Sequence, residues 1–174
     1  MVRFHLGAPT QWPTPVRKTR SAPRHAVDIS EEDGVRYLHF GSEWVQGAMR
    51  IARPWSLELA YTREMMAGLL LRPADEWPRT ALLVGLGAGS LAKFIYRQLP
   101  ECRITVVEIN PQVIGVCRSW FHLPEDDERL TVVQADAARF VASDEHVAAY
   151  DALCVDLYDH EAASPVLDDE AFYR

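Results

Sequence analysis

Apolar positions along this chain change period several times, and the changes mark out its elements. Between Ala26 and Arg53 they fall in β-type runs: Val27-Asp28-Ile29-Ser30, then Val35, Tyr37, Leu38 and Phe40, then Trp44 to Met49. Turn residues interrupt them at Glu31-Glu32-Asp33-Gly34 and at Gly41-Ser42. The pattern predicts a small antiparallel sheet of two or three strands. Arg53-Pro54-Trp55-Ser56 breaks it, with Ser56 as a candidate helix N-cap. Leu57, Tyr61, Met65 and Leu69, flanked by Leu59, Met66 and Leu70, then recur at helical spacing. They predict one amphipathic helix over 57–71, closed by Arg72-Pro73.

From Thr80 the two periods alternate. The run Ala81 to Val84 ends in Gly85-Leu86-Gly87-Ala88-Gly89-Ser90, and Leu91, Phe94, Ile95 and Leu99 follow at helical spacing until Pro100. A second β-rich run, Ile104 to Val107, ends on Glu108. Asn110-Pro111 opens the next helix, whose apolar face is Val113, Ile114, Val116, Cys117, Trp120 and Phe121. Leu130 to Val133 is a third strand leading to Ala135-Asp136-Ala137, and a short helix over 137–142 turns Phe140 and Val141 inward. Tyr150 to Val155 is a fourth strand, ending on Asp156-Leu157-Tyr158-Asp159, and 164–174 reads as a loop entering a helix. Strands alternating with helices predict an α/β fold with a doubly wound, mainly parallel sheet, preceded by the small antiparallel sheet. The expected organisation is a basic, proline-containing disordered tail at 1–26, a β-sheet region at 27–56, and a nucleoside-binding domain at 57–174.

Composition narrows the class. The 174 residues are 48% hydrophobic and 25% charged, ordinary for one globular domain with a real core. No apolar run approaches the roughly 20 residues of a membrane span, and the N-terminus lacks the apolar core of a secretion signal. A cytoplasmic protein with no membrane partner is expected. Cys102, Cys117 and Cys154 are isolated and without CxxC spacing, and the histidines lack ligand-like pairing, so reduced thiols and no metal site are expected. The first 26 residues carry five basic side chains and no acid, so the overall net charge of −7 leaves −12 for the rest. An acidic body argues against nucleic acid and for a cationic small substrate.

The candidate chemistry lies at the carboxyl ends of the strands, where ligands bind in such sheets. Gly85, Gly87 and Gly89 let the backbone turn sharply against a ligand, beside a helix N-terminus with free N–H groups. Glu108, ending the second strand, can accept from the two hydroxyls of a ribose. Asp136 follows the third strand, and Asp156 and Asp159 the fourth. The Gly85–Glu108 spacing suits an NAD-dependent dehydrogenase, with Ser90 where the fingerprint asks for a third small residue, but that reading leaves Asp136-Ala137, Asp156 and Asp159 unexplained. An S-adenosyl-dependent enzyme accounts for them: Glu108 on ribose, Asp136 on the adenine amine, and a carboxylate after the fourth strand facing the sulfonium and the nucleophile.

Several motifs in order resemble the spermidine synthase (polyamine aminopropyltransferase) family, in particular its divergent bacterial members. They are Val45-Gln46-Gly47, LELAYTREMM from Leu57, VGLGAGSL from Val84, VVEINP from Val106, Ala135-Asp136-Ala137, YDALCVDLYD from Tyr150, and LDDEAFY from Leu167. The resemblance implies a Rossmann-like, methyltransferase-like fold behind an N-terminal β-sheet. It implies transfer of an aminopropyl group from decarboxylated S-adenosylmethionine to a polyamine such as putrescine, with release of methylthioadenosine. By the same resemblance Asp156 is the catalytic acid that takes a proton from the attacking amine. Asp159, Gln46, Tyr61 and Glu64 serve the amine substrate, and Gly85, Gly87, Gly89, Glu108, Asp136 and Ala137 serve the nucleoside. Family members form dimers or tetramers, so a homodimer is compatible with the resemblance.

Two departures bear on function. The family's glycine turn usually carries an acid where Ala88 stands, and that acid holds the cationic aminopropyl tail. An S-adenosylmethionine-dependent methyltransferase on the same fold is therefore a second expectation, and a non-catalytic nucleoside-binding module a third. The family pattern also continues beyond Arg174 with further strands, so the fourth strand is expected at an exposed apolar edge.

Overall fold

The computed structural model describes residues 27–157. Asp159, the basic segment 1–26 and the expected closing helix in 164–174 lie outside the described residues.

The first sheet is antiparallel, in the order β1-β2-β3: β1 at Asp28–Glu32, β2 at Val35–His39 and β3 at Gly47–Arg50. The connection from β1 to β2 is tighter than the sequence pattern implies. Glu31 and Glu32 remain in the ladder, opposite Arg36 and Val35, and only Asp33 and Gly34 turn, both at positive φ (49° and 73°). Asp-Gly tolerates that conformation, and its twist matches the flanking strands. β3 starts at Gly47 rather than at Trp44. The Trp44 carbonyl is engaged by His39 Nδ1 at 3.0 Å instead of by a neighbouring strand, so residues 42–46 form a bend.

Helix α1 occupies Ala60–Ala67 and continues as a 3₁₀ turn over Gly68–Leu71, which shortens the helix expected over 57–71. Ser56 does not cap it. The Ser56 N–H closes a turn on Arg53 O at 3.0 Å, and Leu59 holds the N-cap position without a side-chain bond. Residues 57–59 stay extended because their groups are used sideways: Glu58 pairs with Arg50, and Arg63 donates to the carbonyls of Leu57 and Glu58. Met65 and Met66 enter the core. Leu70 and Leu71 do not, each being 82% exposed.

The second sheet is parallel, in the order β6-β5-β4-β7: β4 at Thr80–Val84, β5 at Arg103–Glu108, β6 at Leu130–Gln134 and β7 at Ala152–Val155. Three helices connect them: α2 at Ser90–Gln98, α3 at Pro111–Trp120 and α4 at Ala137–Val141. Alternate β4 residues serve opposite layers. Ala81 and Leu83 pack with α2, α3, α1 and the small sheet, while Leu82 and Val84 pack with Val107 and Phe140 of the α4 side. That alternation is why the strand reads as an unbroken apolar run. Asn110 caps α3, its side chain accepting from Gln112 N at 2.9 Å, with Pro111 in the first turn. The chain steps outward from β4 through β5 to β6 and then returns to the other side of β4. The reversal leaves a crevice at the carboxyl ends of β4 and β7. Among the described residues no helix is long and apolar enough to cross a membrane.

Candidate active site

The glycine turn between β4 and α2 forms the floor of that crevice. Gly85, Gly87 and Gly89 all have positive φ (95°, 51° and 68°), a region costly for any residue with a Cβ. Gly85 is also wedged against β7: a Cβ there would lie 2.1 Å from Asp156 O. Gly47 of β3 comes equally close from above, where a Cβ would stand 2.6 Å from both N and Cβ of Ala88. The small sheet therefore roofs the turn with bare backbone.

Glu108 supports the turn from β5. Its Oε2 accepts from Leu86 N at 3.1 Å and its Oε1 from Asn110 N at 2.8 Å. Burial raises its pKa, and the backbone donors of Asn110, Leu86 and Ile109 oppose that rise. The carboxylate is thus fixed at the strand end beside the turn, with lone pairs left over for further donors.

Across the crevice, the Asp156 N–H continues the β4–β7 ladder by donating to Val84 O at 2.8 Å. Its side chain meets Tyr61 of α1, whose hydroxyl donates to Asp156 Oδ2 at 3.0 Å. Burial pushes the Asp156 carboxyl up to about 6, and the Tyr61 hydroxyl pulls in the other direction. A carboxylate in that range is a better proton acceptor near neutral pH than an ordinary aspartate. The pocket lining joins the two halves: Gly47, Tyr61 and Thr62 from the N-terminal elements, and Gly85, Ala88 and Asp156 from the parallel sheet.

The other sequence-derived candidates spread around this centre. Gln46 brings its carbonyl to the turn, 3.1 Å from where a Gly87 Cβ would stand. Glu64 lies on the exposed face of α1 and does not line the pocket. Asp136 is two strands away from the turn, at the end of β6. It caps α4, accepting from Arg139 N at 3.0 Å, and Ala137 is the first residue of that helix. The sequence reasoning did not single out Gly47 and Thr62 as pocket residues. The signal for Gly47 was a glycine inside a strand, which marks close backbone approach. Thr62, one residue after Tyr61, carried none. It is 2% exposed and donates to Leu59 O at 2.7 Å. Among the described residues no group of His, Cys, Asp or Glu could hold a metal ion.

The parallel sheet with its switch point, the glycine turn and the acid at the end of the second parallel strand define a Rossmann-like fold of the methyltransferase type. Within that class the chain belongs to the spermine/spermidine synthase domain family, whose model matches residues 58–174. It is 40% identical over 162 residues to a polyamine aminopropyltransferase of Neisseria meningitidis serogroup A, which covers 92% of this chain. The chain spans 60% of the length of that relative. Human methyltransferase-like protein 13, solved in complex with SAH, superposes with a TM-score of 0.57 at 30% identity, covering 66% of this chain and 57% of its own. A spermidine synthase solved with the transition-state analogue AdoDATO superposes with a TM-score of 0.53 at 19% identity, covering 84% of this chain and 52% of its own, a likeness of fold.

Proposed function

We propose that this chain carries the nucleoside site and the proton-accepting carboxylate of a polyamine aminopropyltransferase. The reaction moves an aminopropyl group from decarboxylated S-adenosylmethionine to a polyamine such as putrescine and releases methylthioadenosine. The observation that carries this reading is the Tyr61–Asp156 contact at the switch point, 3.0 Å long and adjoining the glycine turn. An amine is protonated at neutral pH and has no free lone pair. Asp156 takes its proton. The nitrogen then attacks the carbon next to the sulfonium, the new C–N bond forms as C–S breaks, and the electron pair stays on sulfur as the neutral thioether. Tyr61 fixes the carboxylate in position, and the crevice aligns the two reactants, where much of the rate gain arises. Glu108 would take the ribose hydroxyls, and Asp136 the adenine amine through the oxygen not used to cap α4. Asp159 and Gln46 complete the proposed amine channel by resemblance, and Glu64, exposed and outside the pocket lining, is left out of it.

One observation favours a second reading. Ala88, 2% exposed and lining the pocket, puts a methyl group where the resemblance implies an acid for the cationic tail. A methyltransferase using S-adenosylmethionine has no need of that acid. Parallel calorimetric titrations with decarboxylated S-adenosylmethionine, S-adenosylmethionine and methylthioadenosine separate the two. Preference for the decarboxylated ligand supports aminopropyl transfer, and preference for S-adenosylmethionine supports the methyltransferase.

A further inference from the structure

Two buried polar side chains meet at the C-terminal end of α3, and the proposed chemistry uses neither. Lys93, on α2, is 1% exposed and donates from Nζ to Phe121 O at 2.7 Å. Cys117, in the last turns of α3, is fully buried and donates from Sγ to Gly87 O at 2.9 Å. The end of α3 is well anchored. His122 turns at φ 57°, and the N–H groups of Phe121 and Leu123 both close on Cys117 O at 3.1 Å. The terminal carbonyls that a helix leaves unpaired are taken by cations, Trp120 O by Arg36 and Phe121 O by Lys93, as the helix dipole favours. Burial raises the Cys117 thiol far above its usual range against the opposing charge of Lys93, so the sulfur keeps the proton it donates.

From this fixed point the thiol reaches one peptide plane of the glycine turn. The carbonyl of Gly87 and the N–H of Ala88 belong to the same trans peptide and point in opposite directions. The amides of Gly85, Leu86 and Gly89 are already used, by Val107 O, Glu108 and Leu86 O. Those of Gly87 and Ala88 donate to no described residue. Ala88 lines the pocket, and beside its amide nitrogen Gly47, also a pocket residue, presents bare backbone, a Cβ there standing 2.6 Å from the nitrogen.

We propose that Cys117, anchored beside Lys93, is a positioning residue: its thiol holds the Gly87 carbonyl and thereby aims the Ala88 N–H into the pocket as a donor to the ligand. The ligand part of this inference rests on the nucleoside-binding reading above; the peptide orientation does not. The test compares Cys117→Ala, Cys117→Ser and, as a control, Cys102→Ala. Cys102 is an equally buried thiol whose nearest acceptor is its own neighbour Arg103 O at 3.6 Å, at the opposite end of β5. Residual dipolar couplings of the Ala88 amide report the peptide's orientation in the ligand-free chain, and titration with methylthioadenosine reports affinity. Cys117→Ala is expected to change the Ala88 coupling and weaken binding roughly three- to tenfold. Cys117→Ser, which keeps a donor, is expected to restore both, while Cys102→Ala lowers thermal stability and leaves both unchanged. An unmoved Ala88 coupling in Cys117→Ala, or no restoration by serine, overturns the proposal. If the unsubstituted chain binds no methylthioadenosine, the nucleoside reading fails, and the coupling still decides whether Cys117 sets the peptide.

Discussion

Asp156→Asn removes a charge that the fold holds at a cost. The Asp156 carboxyl is pushed from 3.8 to about 6 because burial disfavours its ionised form. The folded state therefore binds more protons than the unfolded chain between those two values, and stability falls as pH rises through them. The full shift is about 2 units, which at about 1.4 kcal/mol per unit places the plateau penalty near 3 kcal/mol, an upper figure because the side chain keeps some access to solvent. Most of it is already in place by pH 5 for the unfolded carboxylate, so the part lost between pH 5 and pH 8 is about 1.4 kcal/mol. Asparagine is neutral throughout and still offers Tyr61 an acceptor oxygen. In urea melts the stability of Asp156→Asn relative to wild type should thus improve by about 1.4 kcal/mol from pH 5 to pH 8, a shift of roughly 3–5 °C in relative Tm. Turnover should drop by roughly 10²–10⁴-fold over the same range. A stability difference that is flat with pH, or that grows toward acid, would refute the burial account of this carboxylate.

Three further changes probe the neighbours. Tyr61→Phe deletes the donor that opposes the upward shift of Asp156, so the acid limb of the pH–kcat/KM profile should move to higher pH, with a stability loss of about 1 kcal/mol in denaturant melts. Gly85→Ala puts a methyl group 2.1 Å from Asp156 O at φ 95°, and should cost about 2 kcal/mol or more and abolish nucleoside binding by calorimetry. Lys93 has a pKa lowered to about 8 by burial, so wild type should gain stability relative to Lys93→Met, which is uncharged throughout, as pH climbs from about 8 toward 10.5 in paired pH-dependent melts.

The alternation of strand and helix after Thr80 was legible because β4 and β5 are covered on both faces and α2 and α3 each bury an apolar stripe, so periodicity and layer agree. The small sheet was legible for the same reason on one face. The boundaries that moved did so where a side chain outside the local pattern intervened: His39 on the Trp44 carbonyl, Arg63 on the carbonyls of Leu57 and Glu58, and Ser56 drawn into a turn with Arg53. The glycine turn and Glu108 could be read as a site because backbone geometry demands those residue types there. The Tyr61–Asp156 contact could not be derived from pattern, since its partners stand 95 positions apart and Tyr61 lies on a helix face that reads as core. The burial of Lys93 was equally silent: a lysine at helical spacing reads as solvated, and only the carbonyl left at the end of α3 explains why it points inward.

The central claim is that Asp156 serves aminopropyl transfer. Its most direct test is methylthioadenosine release by the chain from decarboxylated S-adenosylmethionine and putrescine, measured for wild type and Asp156→Asn with S-adenosylmethionine in parallel. Release that matches formation of the aminopropylated amine, and that collapses in Asp156→Asn, is the expected result. Equal release by both proteins, or transfer from S-adenosylmethionine alone, would contradict it.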